Sequence, residues 1–142
     1  MRAPYTELYV HLVWSTWDRL PLITPATKPR LTATIVAKCQ ELDADVIAVE
    51  LMPEHAHLLI RLPPSVAVAG LVKEVKGASS HLVNKVLGPD PVFKWQGGYG
   101  AFTVAKEGVP AVKAYIANQL RHHSGGKLID EWEVTSATSP GD

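Results

Sequence analysis

The sequence has little of several features that mark particular protein classes. Its 142 residues include one cysteine, Cys39, which excludes an internal disulfide and a cysteine-rich zinc site. No stretch approaches the roughly eighteen consecutive apolar residues of a membrane helix, and residues 1–5 lack the basic-then-apolar pattern of a secretory signal. We therefore expect one soluble, cytoplasmic domain of ordinary globular composition, with no membrane partner.

Net charge is also absent, because fourteen basic side chains balance fourteen acidic ones. The distribution is nevertheless uneven: residues 1–60 carry a net −2, residues 61–127 a net +6 and residues 128–142 a net −4. A basic second half fits a surface that meets phosphates, since an asymmetric field attracts a polyanion even when the total cancels. A set of solvated helix faces explains the same distribution, so charge alone does not decide between the two.

Hydrophobic periodicity predicts four strands and three helices in the order β-α-β-β-α-β-α. The predicted strands are the alternating or continuously apolar segments, residues 5–16, 46–51, 55–62 and 101–105. The predicted helices are the segments with apolar spacings of three and four, residues 31–42, 65–87 and 110–123. This order is typical of an α+β, ferredoxin-like split βαβ fold with a four-stranded, mainly antiparallel sheet and an additional C-terminal helix. We expect residues 1–123 to form the domain and residues 124–142 a loose acidic tail.

The predicted third strand contains two histidines, His55 and His57. Side chains two residues apart leave a strand on the same face, so both imidazoles share a face and Ala56 and Leu58 occupy the other. Two imidazoles supply two corners of a metal site, although a metal seldom has only two protein ligands. Alone, this pattern is a weak indication, because surface histidines produce it as well.

One face of the last predicted helix carries Val112, Tyr115, Ile116 and Gln119. We expect this face to pack on the side of the sheet that the first two helices leave open. The two polar tips then need partners, since leaving a buried polar group unpaired costs about 1–3 kcal/mol. A metal held by the histidine pair would accept the side-chain oxygen of Gln119, with Tyr115 one helical turn away. Taken singly, a tyrosine at the core edge and a solvated glutamine are the commoner explanations.

Such a set of side chains suits phosphodiester chemistry. Two neutral imidazoles and a neutral amide leave the full charge of a divalent ion, which attracts and polarises a phosphodiester. A neighbouring tyrosine hydroxyl can attack the phosphorus and form a covalent phosphotyrosine. With an unperturbed pKa near 10, only about one tyrosine in a thousand is ionised at neutral pH, so Tyr115 needs a helper that the sequence does not identify.

Several longer motifs occur together and in a fixed order. They are Tyr9-x-His11-x-x-Trp14, the segment from Met52 to Leu59, Lys76-Gly77-x-Ser79-Ser80, the segment from Trp95 to Val104, and Tyr115-Ile116-x-Asn118-Gln119. Spanning residues 5–123, this combination resembles the single-tyrosine HUH transposases, of the insertion-sequence-two-hundred type and the related REP-associated tyrosine transposases. One departure is Ala56, where the family prefers a bulkier apolar residue. The acidic tail is not part of the shared pattern.

The resemblance implies an endonuclease and strand transferase that uses Mg²⁺ or Mn²⁺ to cleave single-stranded DNA, often at hairpins. His55 and His57 match the family's two histidine ligands and Gln119 its third ligand. Tyr115 matches the nucleophile that becomes a 5′-phosphotyrosine. The transposon branch forms dimers in which one subunit's tyrosine helix can complete the other's site, while some REP-associated relatives are monomers, so a homodimer is expected and a monomer is the alternative.

Weaker candidates surround these four residues. His11 shares the sheet face of the histidine pair if the strands pair as expected, so it either lines the site or is a buried, satisfied histidine. The candidates for contact with DNA are three lysines and two aromatic residues, Lys73, Lys76, Lys85, Trp95 and Tyr99. Solvated lysines and a core tryptophan are the alternatives at these positions.

Two other functions remain open. One is a domesticated relative that regulates by binding hairpin DNA or RNA without cutting it. The other is a metal-dependent phosphoesterase that uses a metal-bound water and forms no covalent intermediate. The first is disfavoured by the presence of all four residues, Tyr115, His55, His57 and Gln119, because binding alone does not require them.

Overall fold

The computed structural model describes residues 3–87, 93–119 and 133–135. In chain order the elements are β1 (Tyr9–Ser15), α1 (Lys28–Glu41), β2 (Asp45–Met52), β3 (His55–Arg61), α2 (Val68–His81), β4 (Gly100–Val104) and α3 (Val109–Ala117). Short 3₁₀ turns cover Trp17–Arg19 and Lys106–Gly108, and a π-helical turn, Leu82–Val86, follows α2 directly. This order confirms the predicted α+β arrangement with an additional helix after β4.

The four strands form one antiparallel sheet in the order β2-β3-β1-β4. The register of the two central strands places Ser15 opposite His55 and Val13 opposite His57. On the other side of β1, Val13 lies opposite Gly100. Because directly opposite residues share a sheet face, His57, Val13 and Gly100 form a row across the same face.

The larger core lies between the sheet and the two helices α1 and α2. From the sheet it receives the even-numbered residues Leu12, Trp14, Leu58 and Ile60, and from the helices Leu31, Ile35, Cys39, Leu71 and Val75. The helical residues recur every four positions, so each helix presents one continuous apolar stripe. Full burial of each large aliphatic side chain contributes about 1.5–3 kcal/mol, which makes this layer the main source of stability.

Helix α3 packs on the opposite face, where Leu59 of β3 forms a small cluster with Val112 and Ile116. The helix was predicted to lie here, and the position follows from its apolar face. The alternation of polar and apolar residues in 5–16 predicts a half-buried strand, and this prediction is wrong, because residues 10–15 of β1 are buried on both faces. Central position in the sheet and cover on each side remove β1 from solvent.

Two expectations for the second helix, a cap at Ser65 and an apolar stripe that includes Val86, differ from the structure. Helix α2 begins at Val68 with Ala67 at its N-cap, so Ser65 is not the cap. Val86, predicted in the apolar stripe, is the last residue of the π-helical turn, which departs from the α-helical period, and it is 57% exposed. Helix α3 ends at Ala117.

Parts of three predictions lie outside the described residues. These are the predicted end of the second helix at Gly88-Pro89, the last helical turn at 120–123, and most of the predicted tail. No helix in the described part of the chain is both long and apolar enough to cross a membrane.

Candidate functional site

His55 and His57 project from β3 onto the face that α3 covers, and both are fully buried. Each Nδ1 atom has a hydrogen-bonding partner: His55 Nδ1 lies 2.9 Å from Glu54 Oε1, and His57 Nδ1 lies 2.9 Å from His11 Nε2. A partner on one ring nitrogen fixes the orientation of the imidazole and the direction of the other nitrogen. The two Nε2 atoms therefore face the space between the sheet and α3.

Gln119 follows α3 and is fully buried at the same place. Its Oε1 atom lies 3.4 Å from His55 Nε2, and its amide Nε2 donates a hydrogen bond of 3.3 Å to the carbonyl oxygen of Tyr115. That backbone hydrogen bond orients the amide, so its oxygen rather than its nitrogen faces the imidazole. The structure thus brings together the three residues predicted as metal ligands.

Tyr115 lies one helical turn before Gln119, with 5% of its surface exposed. Its ring meets the imidazole of His57 edge to face, with ring centroids 6.0 Å apart. The hydroxyl donates a hydrogen bond of 2.7 Å to Glu133 Oε1. The ring is packed against the sheet, but its hydroxyl points toward the histidine pair and not into the apolar cluster.

Glu133 is the residue of this site that sequence reasoning missed. Its Oε2 atom lies 3.0 Å from His57 Nε2 and 3.6 Å from His55 Nε2, while Oε1 accepts the hydrogen bond from Tyr115. It lies within residues 124–142, which were expected to form a loose acidic tail. The acidic composition of that segment was the only signal, and composition does not show which carboxylate turns back to the sheet.

Burial and neighbouring charges shift the pKa values of the site in opposite directions. Burial, assisted by the charge of His57, lowers the pKa of His11 to about 3, so this imidazole is uncharged at neutral pH. The same two causes lower the pKa of His55. For Glu133, burial raises the pKa, but the hydrogen bond and charge of His57, with the Tyr115 hydroxyl, outweigh burial and lower it to about 2. Glu133 is therefore a carboxylate at neutral pH.

The donor atoms that meet here fit a divalent cation. The ligand atoms of His55, His57 and Glu133 all lie within 4.8 Å of one another, and the amide oxygen of Gln119 lies beside them. Imidazole nitrogen suits first-row transition metals, and carboxylate and amide oxygens suit Mg²⁺ and Mn²⁺. The set thus supports a divalent metal site without selecting among these ions.

His11 lies beside His57, on the sheet face expected for it. Its ring stacks on the ring of His57, with centroids 5.1 Å apart and planes at 22°. Together with the hydrogen bond between them, this contact holds His57 in place. His11 itself is 1% exposed, so it contacts His57 from the interior of the protein.

The lysines predicted to contact DNA occupy different environments. Lys73 on α2 and Lys85 in the π-helical turn are exposed. The Lys76 ammonium instead donates hydrogen bonds of 2.8 Å and 2.6 Å to the carbonyl oxygens of Gln96 and Gly98. Lys76 therefore stabilises the loop before β4. Burial lowers the pKa of its ammonium group.

The two aromatic residues predicted to stack on bases also lie near this loop. Trp95 is buried, its ring meets Trp14 and Phe93 edge to face, and its Nε1 donates a hydrogen bond to Ser79 Oγ at 2.9 Å. This position matches the alternative of a core tryptophan. Tyr99 is half-buried against the same core.

The fold and the site define a small α+β protein in which a buried histidine pair on a sheet faces a tyrosine and a glutamine from a covering helix. Residues 4–119 match the family model described as "Transposase IS200 like". The chain therefore belongs to the IS200-like transposase family.

Known proteins of this family are similar along most of their length. The chain is 27% identical over 121 residues to the ISDra2 transposase TnpA of Deinococcus radiodurans, covering 80% of this chain and 84% of that protein. It is 29% identical over 109 residues to the transposase for insertion sequence element IS200 of Salmonella typhimurium, covering 72% of this chain and 70% of that protein.

Solved structures share the fold. A candidate transposase of Deinococcus radiodurans superposes with a TM-score of 0.67 at 25% identity, covering 84% of this chain and 95% of that one. A REP-associated tyrosine transposase bound to a REP hairpin also superposes with a TM-score of 0.67, at 15% identity, covering 87% of this chain and 72% of that one. The second likeness is a likeness of fold.

Proposed function

We propose that this chain is an endonuclease and strand transferase that cleaves single-stranded DNA through a 5′-phosphotyrosine on Tyr115, with Mg²⁺ or Mn²⁺ held by His55, His57 and Gln119. One observation carries the proposal. The Tyr115 hydroxyl and the Nε2 atoms of both histidines converge on a single carboxylate, at 2.7, 3.0 and 3.6 Å. A nucleophile and a cation site are thus adjacent, as attack on a phosphodiester requires.

The chain's own residues divide the chemistry between them. The imidazoles and the Gln119 amide hold the cation, which when bound supplies positive charge that attracts and polarises a phosphodiester. Tyr115 attacks: its oxygen forms a bond to phosphorus while the bond from phosphorus to the 3′ oxygen breaks. The phenol loses one proton and the departing 3′ oxygen gains one, so the products are a 5′-phosphotyrosine and a free 3′ hydroxyl.

Glu133 affects how Tyr115 enters this reaction. A carboxylate whose pKa is about 2 is a weak base, so it is poorly suited to remove a phenolic proton at neutral pH. Its hydrogen bond instead fixes where the hydroxyl lies. A cation held beside the hydroxyl would favour loss of the phenolic proton, and water is its final acceptor.

The substrate class rests on the family and on the charge distribution. The solved REP-associated relative is bound to a REP hairpin, and residues 61–127 of this chain carry a net +6. Lys73 and Lys85 are exposed within that segment, where they can meet the phosphates of a hairpin.

The test is formation of a protein–DNA adduct. The full chain is incubated with single-stranded hairpin DNA and Mn²⁺, and products are separated under denaturing conditions. Tyr115→Phe should abolish the adduct and leave DNA binding within about twofold, because it removes one hydroxyl and no phosphate contact. Tyr5→Phe is the matched control, since Tyr5 is 79% exposed and should leave adduct formation unchanged.

The remaining outcomes separate the other functions. Cleavage that survives Tyr115→Phe would identify a phosphoesterase that uses water as its nucleophile. Binding of the hairpin by the wild type without cleavage in either metal would identify a regulator that only binds.

A further inference from the structure

We propose that Glu133 is an additional ligand of the cation and at the same time the positioning residue of the Tyr115 hydroxyl. This inference rests on the proposed function, because it concerns the same cation and the same nucleophile. It assigns a role to a residue that lies beyond the stretch matched by the family, residues 4–119.

The two carboxylate oxygens of Glu133 face different partners. Oε2 lies 3.6 Å from His55 Nε2 and 3.0 Å from His57 Nε2, while the Nδ1 atoms of the same rings meet Glu54 and His11. Oε1 holds the Tyr115 hydroxyl at 2.7 Å. One carboxylate thus links the residues that would hold the cation to the nucleophile.

Charge gives a second, independent reason. The histidines and Gln119 form a neutral set with one oxygen donor, whereas Mg²⁺ and Mn²⁺ prefer oxygen ligands and carboxylates in particular. The Glu133 side chain is only 17% exposed. Among the described residues, no lysine or arginine forms an ion pair with it. A mostly buried carboxylate that meets two imidazoles and no lysine or arginine favours a cation as its counter-charge.

The sheet accommodates this segment at Gly100. A Cβ atom on Gly100 would lie 1.8 Å from the carbonyl oxygen of Val134, so the backbone of the segment rests directly on the glycine. Gly100 lies in the same row of the sheet as Val13 and His57. The absence of a side chain at this position is therefore what allows residue 133 to reach His57.

Affinity for Mn²⁺, measured on the full chain by electron paramagnetic resonance of the free ion, tests the ligand role without depending on cleavage. Glu133→Gln keeps the size of the side chain and removes its charge, and should weaken Mn²⁺ binding about tenfold or more. Glu133→Asp, which keeps the charge, should recover part of this loss. Gly100→Ala should weaken binding similarly by displacing Val134. Its control is Gly97→Ala, whose added Cβ meets nothing within 4 Å and should leave the affinity unchanged.

The positioning role predicts that a variant of Glu133 loses rate of adduct formation without losing affinity for DNA. At saturating hairpin DNA and saturating Mn²⁺, Glu133→Gln should slow adduct formation about tenfold or more while DNA affinity stays within about twofold. Equal Mn²⁺ affinity in the wild type and Glu133→Gln would overturn the ligand role. Faster adduct formation in Glu133→Gln would overturn the whole inference, since the carboxylate would then be obstructing the site.

Failure of the proposed function has a different signature. In that case the wild type itself would not bind Mn²⁺, or His55→Ala would bind it as tightly as the wild type. Only when the wild type binds the ion through its histidines does an unchanged Glu133→Gln count against Glu133.

Discussion

The Nε2 atom of His55 lies 3.4 Å from the Oε1 atom of Gln119, although 64 residues separate them in the chain. The first is carried by a central strand and the second follows the helix that covers it. Their distance therefore depends on how α3 packs on β3, through Leu59, Val112 and Ile116. The small apolar cluster is thus as important for the site as the polar atoms themselves.

Gln119→Ala should weaken the binding of Mn²⁺ about tenfold, because one oxygen ligand is lost while the histidines remain. Binding to the native state raises the melting temperature in proportion to the logarithm of the ligand concentration over Kd. The variant should therefore show a smaller rise on addition of Mn²⁺. Asn118→Ala is the control, since Asn118 is exposed and its side-chain amide donates to the Ala114 carbonyl oxygen and not to a residue of the site. An equal rise in Gln119→Ala and the wild type would exclude Gln119 as a ligand.

Ile116→Ala should lower the free energy of unfolding by about 2–5 kcal/mol, because it leaves a cavity at a fully buried position beneath α3. Since the same helix carries Tyr115, adduct formation should fall even under conditions where the protein remains folded. Urea unfolding and the adduct assay together measure both effects. Val86→Ala, at a position that is 57% exposed, should change stability by less than about 0.5 kcal/mol. A similar loss in both variants would show that the cluster under α3 contributes little.

Cys39 should react slowly with a thiol reagent such as Ellman's reagent in the native protein. Burial raises the pKa of its thiol to about 11, so the reactive thiolate is scarce at neutral pH, and the side chain is 0% exposed. The rate should increase as the pH rises toward 11, because the thiolate fraction grows over that range. In urea one thiol per chain should react at once. Rapid native labelling at pH 7 would contradict the burial of α1 against the sheet.

Lys73→Met and Lys85→Met should each reduce the salt dependence of hairpin binding by about one unit of slope, if each lysine neutralises one phosphate. Stability should be unchanged, because both side chains are exposed. Lys76→Met should instead destabilise the fold, by roughly 1–3 kcal/mol, since it removes both hydrogen bonds to the loop carbonyl oxygens. Fluorescence anisotropy at several salt concentrations and thermal unfolding distinguish the two classes. Unchanged slopes in both exposed variants would remove these lysines from the DNA surface.

Local periodicity was sufficient to predict most of the fold and four members of the site cluster. The period of two placed His55 and His57 on one face of a strand, and the helical period placed Tyr115 and Gln119 one turn apart. The same patterns predicted which face of the last helix is apolar. The orientation of Trp95 could not be predicted in this way, because a glycine-rich loop has no hydrophobic period. Its side chains are oriented by the core that they contact.

The sequence by itself determined the order of strands and helices, the face on which each periodic side chain lies, and the family to which the motifs belong. Tertiary structure alone decided that Glu133 reaches an imidazole 76 residues away and that β1 is buried on both faces. The reason is physical: periodicity is a property of neighbouring residues, whereas the meeting of distant segments depends on packing, and here on the space that Gly100 leaves for the backbone of Val134.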